Sequence, residues 1–338
     1  MKMKKRFFAL ALAALSVFSL MAPAGAANPS YSGISFTNGV SRRFLFSDSP
    51  EAITSRNSTN GYLAGTTFNA GERMDFELYH HNKSGTTKRF GIVVQNGNST
   101  AVTLTLHNKA IGTASGATQK AEQQMTAIMV RDYLKSSSST ITVPANSSVF
   151  VLSQNVSNGY MVDGKLSMTS NKGNVYARIV YGSTTTSAAT YFNIANQEAA
   201  QSSYFSGQLN YVQKNATVDA SKVSAFVLGE WPADRNFKNS NEYTTVLSHK
   251  PGSLDKLAGN FGVVYQIKFT NLNGRKVKLA PDWSNSMRQC NDIVFKNANG
   301  WNTTGIITSG TQNMSLVNDT MTIVIPGGNC ADLRFVIE

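Results

Sequence analysis

Apolar side chains recur at every second position through most of this 338-residue chain, and that alternation constrains its fold more than any other feature. Met74, Phe76 and Leu78 alternate with Asp75, Glu77 and Tyr79, and Val102, Leu104 and Leu106 with Thr103, Thr105 and His107. Ile141-Thr142-Val143, Val149-Phe150-Val151-Leu152 and the run from Val175 to Tyr181 continue the theme. Successive side chains of a strand point to opposite faces, so a period of two marks half-buried strands. Turn formers such as Asn96-Gly97-Asn98, Asn158-Gly159 and Asp163-Gly164 separate the runs. Short strands at this spacing predict an all-β fold of sandwich or jelly-roll type. Charged residues make up only 15%, against about 25% in an average soluble protein; Ser, Thr, Asn and Gln fill the gap, as in many secreted β-proteins.

One segment departs from the alternation. From Gln119 to Lys135, Ala121, Met125, Ile128, Met129 and Leu134 fall near one helical face, and Thr118 suits an N-cap. The spacing predicts a single helix inserted between strands, with its methionines as core filler rather than metal ligands. Three short echoes link the two halves in the same order. Phe44–Glu51 resembles Phe226–Ala233, Phe90–Gln95 resembles Phe261–Gln266, and Ile141–Asn146 resembles Ile323–Gly328. Ordered echoes favour two tandem sandwiches, with an internal duplication as one origin. The expected division is a first sandwich over 27–186, a linker over 187–204 and a second sandwich over 205–338.

The first 26 residues read as a secretory signal. Lys2, Lys4, Lys5 and Arg6 precede an apolar stretch from Phe7 to Ala22, and Ala24-Gly25-Ala26 after Pro23 provides a small-residue cleavage site. The apolar stretch is shorter than the roughly 20 residues that span a bilayer, so no transmembrane anchor is expected. The whole chain carries 31 Lys+Arg and 19 Asp+Glu, a net charge of +12; cleavage removes four positive charges and leaves +8. A basic exported protein is drawn to polyanions, and to nucleic acid only non-specifically.

Phe46-Ser47-Asp48-Ser49-Pro50-Glu51, followed by Tyr79-His80-His81-Asn82 and Lys88-Arg89-Phe90-Gly91, resembles a group of secreted β-sandwich proteins of Gram-positive bacteria. Some members of that group carry a copper-amine-oxidase-like stalk domain, which this chain does not show. The resemblance implies an extracellular or loosely wall-associated location and β architecture, and it implies no catalytic residue.

Few residues suit chemistry. His80 and His81 are adjacent, and only His107 and His249 join them. Strand neighbours point apart, so the pair reads as surface histidines rather than a chelate. Asp75 and Glu77 share one strand face at a separation that suits a glycosidase carboxylate pair, although solvated charges are the simpler reading. No nucleophile elbow, phosphate loop, calcium loop or zinc-protease motif is present, and no cofactor or metal is expected. The most specific polar pattern is basic. If the strand ending at Thr270 and the one after Asn271-Leu272-Asn273-Gly274 form a hairpin, Lys268, Lys276 and Lys278 gather on one outward face. Arg275, Arg288 and Trp283 would border it. Cations beside an aromatic plate suit an anionic wall polymer or acidic glycan. Cys290 and Cys330, the only cysteines, are expected to form one disulfide in an oxidising compartment. The chain therefore reads as a secreted, non-enzymatic binding protein of the cell envelope or extracellular matrix. The alternatives are an enzyme acting on extracellular polysaccharide through Asp75 and Glu77, and a structural matrix or coat component.

Overall fold

The computed structural model describes residues 31–116, 118–229, 239–281, 292–329 and 333–338. The signal segment, Trp283, Arg288, Cys290 and Cys330 lie outside the described residues. The alternating segments become strands β1 (Phe36–Asn38), β2 (Ser41–Ser47), β3 (Ala52–Thr54), β4 (Gly61–Phe68), β5 (Arg73–Lys83), β6 (Lys88–Asn96) and β7 (Val102–Ser115). Helix α1 (Gln119–Lys135) follows, then β8 (Ser139–Val143), β9 (Ser148–Val156), β10 (Tyr160–Ser170) and β11 (Val175–Gly182). The second half supplies β12 (Ser206–Tyr211), β13 (Gln213–Asp219), β14 (Ala225–Leu228), β15 (Val246–His249), β16 (Val264–Thr270) and β17 (Val277–Leu279). It ends with β18 (Val294–Asn297), β19 (Gly300–Thr303), β20 (Gln312–Asn313), β21 (Thr320–Val324) and β22 (Leu333–Ile337).

These strands form four sheets in two sandwiches. In the first, the sheet β15-β12-β2-β5-β10-β7-β8, with β3 also on β5, covers the sheet β4-β11-β6-β9. Phe76, Leu78, Ile92, Val94, Leu104 and Ile179 lie in the core between them. In the second, β1-β13-β16-β21-β18-β19 covers β14-β22-β17-β20 around Phe226, Ile267, Phe269, Ile323 and Phe335. The expected all-β fold of two sandwiches with one helix is what the chain adopts; α1 is the one α-helix among the described residues. No described helix is long and apolar enough to cross a membrane.

The two sandwiches exchange strands. β1, from the start of the described chain, pairs with β13 in the second sandwich, while β12 and β15 extend the large sheet of the first. Residues 187–204 run over the small sheet of the first sandwich as a 3-10 turn at Ala188–Phe192 followed by irregular chain. Tyr191 is buried there, and the Arg178 guanidinium donates to the carbonyls of Tyr191 and Ile194 at 2.6 and 2.9 Å. The sequence echoes occupy different strand positions: β8 is a sheet edge, whereas β21 lies between β16 and β18.

Helix α1 starts where the Thr118 hydroxyl accepts the Ala121 N–H at 3.3 Å. It ends where Ser136 takes an extended conformation. Its buried residues are Gln123, Thr126, Ala127, Met129, Val130 and Tyr133. The apolar stripe read from the sequence is thus rotated, and Ile128 is 38% exposed. The rotation follows from what surrounds the helix. It lies on β7 and β10 of the first sandwich and also meets Val294 and Val324 of the second. Being wedged between two bodies, it needs two contact faces rather than one.

Candidate functional site

The outer face of the six-stranded sheet carries the candidate site. Tyr265, Ile267 and Phe269 of β16 turn into the core, so Gln266 and Lys268 point outward. By the same alternation Asn215 and Thr217 of β13 and Thr37 of β1 point outward. The register aligns them in two rows across the strands. Thr37 pairs with Asn215, and Asn215 with Gln266; Thr217 pairs with Lys268, and Lys268 with Thr320. Helix α1 covers one end of this face through Val264 and Val324. The other end is open, and there the two rows and Ser35 line a shallow trough of about 490 Å³. Gln213 Nε2 donates to Asn215 Oδ1 at 2.7 Å and to Gln266 Oε1 at 2.9 Å, which fixes the amides of the first row. In the second row, Lys268 Nζ donates to the Asn318 carbonyl at 2.6 Å and lies 3.9 Å from the Asp319 carboxylate. Amides and hydroxyls both donate and accept, so these rows can bind a hydroxyl-rich ligand while Lys268 adds one cation.

The basic hairpin expected from the sequence does not form. β16 pairs with β13 and β21 in the six-stranded sheet, whereas β17 pairs with β20 and β22 in the four-stranded one. The connection is a corner between the two sheets. Asn271, Asn273 and Gly274 all have positive φ, and six residues separate the strands, unlike the two-residue turns that close tight hairpins. Lys268 therefore lies on a different sheet from Lys276 and Lys278. Arg275 folds back on its own turn, donating to the carbonyls of Leu272 and Asn271 at 3.1 and 2.8 Å. Lys278 is ion-paired with Glu338, while Lys276 is exposed at the start of β17.

Asp75 and Glu77 share a face, as expected, but that face is sealed between the sandwiches rather than solvated. Asp75 is 3% exposed and accepts from Arg42 at 3.1 and 3.2 Å. Glu77 is fully buried and ion-paired with Lys165. Two carboxylates already held by cations and shut away from solvent make a poor glycosidase pair. Asp163, read from the sequence as a turn with Gly164, instead lies within β10 with continuous pairing on both sides, and it shares this layer with Asp48. Burial, then neighbouring carboxylates, push both carboxyls well above the usual range.

His80 and His81 lie in β5 and are buried, not at the surface as the sequence suggested. His80 is buried, receiving or donating hydrogen bonds at Ser47 Oγ (3.1 Å) and the Pro50 carbonyl (2.8 Å), and burial depresses its pKa to about 3. His81 points the other way, with Nδ1 3.7 Å from Glu122. His107 Nε2 lies 2.8 Å from Thr169 Oγ1, and His249 is exposed on β15. Among the described residues no three His, Cys, Asp or Glu side chains are grouped to hold a metal ion.

No protein-family model and no curated protein matches the chain. Among solved structures, the CUB1-EGF-CUB2 domain of human MASP-1/3 aligns over 83% of this chain and 100% of its own, at 8% identity and a TM-score of 0.17. The Macrobrachium rosenbergii nodavirus aligns over 99% and 98%, at 11% identity and a TM-score of 0.14. Deformed wing virus, a honeybee pathogen, aligns over 98% and 93%, at 11% identity and a TM-score of 0.15. Superpositions this loose carry no argument about the chain, whose own geometry has to supply the functional reading.

Proposed function

We propose that the protein is a secreted, non-enzymatic binding protein of the bacterial cell envelope or extracellular matrix. It takes a segment of an acidic polysaccharide or anionic wall polymer across the trough of the six-stranded sheet. The observation that carries this reading is the pair of cross-strand rows, Thr37-Asn215-Gln266 and Thr217-Lys268-Thr320, on a rigid sheet face. Neighbouring strands lie about 4.8 Å apart, so each row presents evenly spaced hydrogen-bonding groups that an extended, hydroxyl-rich chain can follow. Lys268 adds preference for a carboxylate or phosphate on that chain. Lys276 and Lys278, on the four-stranded sheet, contribute only long-range attraction.

Hydrogen–deuterium exchange with and without a soluble polyuronate tests this. New protection should fall on β1, β13 and β16. Protection confined to other strands, or none at saturating polymer, would defeat the reading.

A further inference from the structure

Glu77 on β5 and Asp163 and Lys165 on β10 form a sealed group on the sheet face that the second sandwich covers. Glu77 and Asp163 are 0% exposed and Lys165 is 4% exposed. The register sets Lys165 directly opposite Glu77. Asp163 lies two residues along the same strand, so all three side chains project to one side. Lys165 Nζ contacts Glu77 Oε2 and donates to the Gly262 carbonyl at 3.1 Å. It also lies over the ring of Phe44 at 4.4 Å. Among the described residues, the other Glu77 oxygen, Oε1, and both carboxyl oxygens of Asp163 have no hydrogen-bond partner. Gly262 closes the group from the second sandwich: a Cβ there would overlap the Glu77 carboxylate and come within 2.6 Å of Lys165 Nζ.

We propose that Lys165 and Glu77 become joined by an intramolecular amide bond, with Asp163 as the acid that shuttles the proton. The Lys165 ammonium gives a proton to the Glu77 carboxylate, and the neutral amine attacks Glu77 Cδ. The Nζ–Cδ bond forms and the Cδ–Oε2 bond breaks. Oε2, which already holds the Lys165 proton, takes a second proton from Asp163 and leaves as water, and Asp163 regains the proton that the nitrogen sheds. Atoms and charge balance, and no oxidant or reductant is needed. Three features favour the step. The reacting groups are held together, which replaces a bimolecular encounter by an intramolecular one. The closed layer keeps out the water that would stabilise the separate ions and reverse the reaction. Burial keeps the Asp163 carboxyl protonated in a range where free carboxyls ionise, as a proton donor requires.

Intact-mass spectrometry of the reduced, denatured full chain, followed by peptide mapping, tests the bond. The wild type should be lighter than its sequence by one water, and a branched peptide should join Glu77 to Lys165. Lys165→Arg should restore the full sequence mass. Asp163→Asn should do the same while keeping the wild-type circular dichroism, and Asp163→Glu should recover the link in part. A wild type of full sequence mass, or a lost water that maps to other residues, would overturn the proposal whether or not the variants fold. A link that forms undiminished in Asp163→Asn would overturn the role of Asp163.

Discussion

Lys165 stands directly across one strand pair from Glu77, with both side chains enclosed, and the carbonyl that completes the Lys165 shell comes from Gly262 of the other sandwich. The joint between the sandwiches is thus an ordered polar layer with apolar packing beside it. Phe44, Phe46 and Leu209 meet Val263 and Leu257 there, and Met129 and Val130 of α1 meet Val294 and Val324.

Gly262 is the tightest point of that joint. It has φ +75, and any side chain there collides with Glu77 and Lys165. Gly274 has φ +82 and open space around its missing Cβ. Gly274→Ala should cost only the left-handed penalty, about 1 kcal/mol. Gly262→Ala should cost roughly 3 kcal/mol or more, because the buried Glu77–Lys165 pair must also move. Urea midpoints of the two variants measure the difference.

Asp48 gives the joint a pH dependence. Burial raises its carboxyl pKa in the folded state, reinforced by Glu51, Asp163 and Glu77, and its Oδ1 has no partner among the described residues. A carboxyl whose folded pKa lies above its unfolded value contributes most below about pH 4, and that contribution is lost as pH rises toward the folded pKa. Asp48→Asn keeps the shape without the ionisation. It should match the wild type's melting temperature at pH 4 and exceed it at pH 8. Thermal melts across that range give the answer.

Met129 and Ile128 are neighbours in sequence but not in environment, at 3% and 38% exposed. Met129→Ala should destabilise by about 2–4 kcal/mol, since it opens a cavity between the helix and both sandwiches. Ile128→Ala should stay within about 0.5 kcal/mol. Chemical denaturation of both variants would show the contrast.

The strands were legible because alternation is a local property. Met74, Phe76 and Leu78 mark an inner face whatever lies elsewhere. What covers the opposite face is not local. Asp75 and Glu77 look solvated until Arg42 and Lys165 are brought in by pairing with distant strands. The helix was legible in extent, from its cap at Thr118 to Lys135, but not in rotation, because its second contact face depends on Val294 and Val324. The basic hairpin failed because Asn271, Asn273 and Gly274 turn the chain between sheets, and a turn sequence alone does not say which strand follows as partner. Of the described residues proposed from the sequence for ligand binding, Lys268 alone lines the trough. Its companions, Thr37, Asn215 and Thr217, look like ordinary outward strand positions. The alternation of Asn215 and Thr217 on β13 with Gln266 and Lys268 on β16 was a signal, but one whose meaning depends on the parallel pairing of those strands.

Cys290 and Cys330 lie outside the described residues. As the only two cysteines of an exported chain they are expected to form a disulfide, which should contribute roughly 3–4 kcal/mol in the chain-entropy model. Non-reducing peptide mapping of secreted protein should recover a linked pair, whereas complete thiol labelling of the native protein would rule it out.

Retention on an immobilised polyuronate, compared between Lys268→Gln and the double variant Lys276→Gln/Lys278→Gln, tests the binding face most directly. Binding through the trough predicts that Lys268→Gln weakens retention several-fold and lowers the salt slope by about one, while the double variant stays close to wild type. Undiminished retention of Lys268→Gln together with a large loss in the double variant would contradict it and move the binding face to the four-stranded sheet.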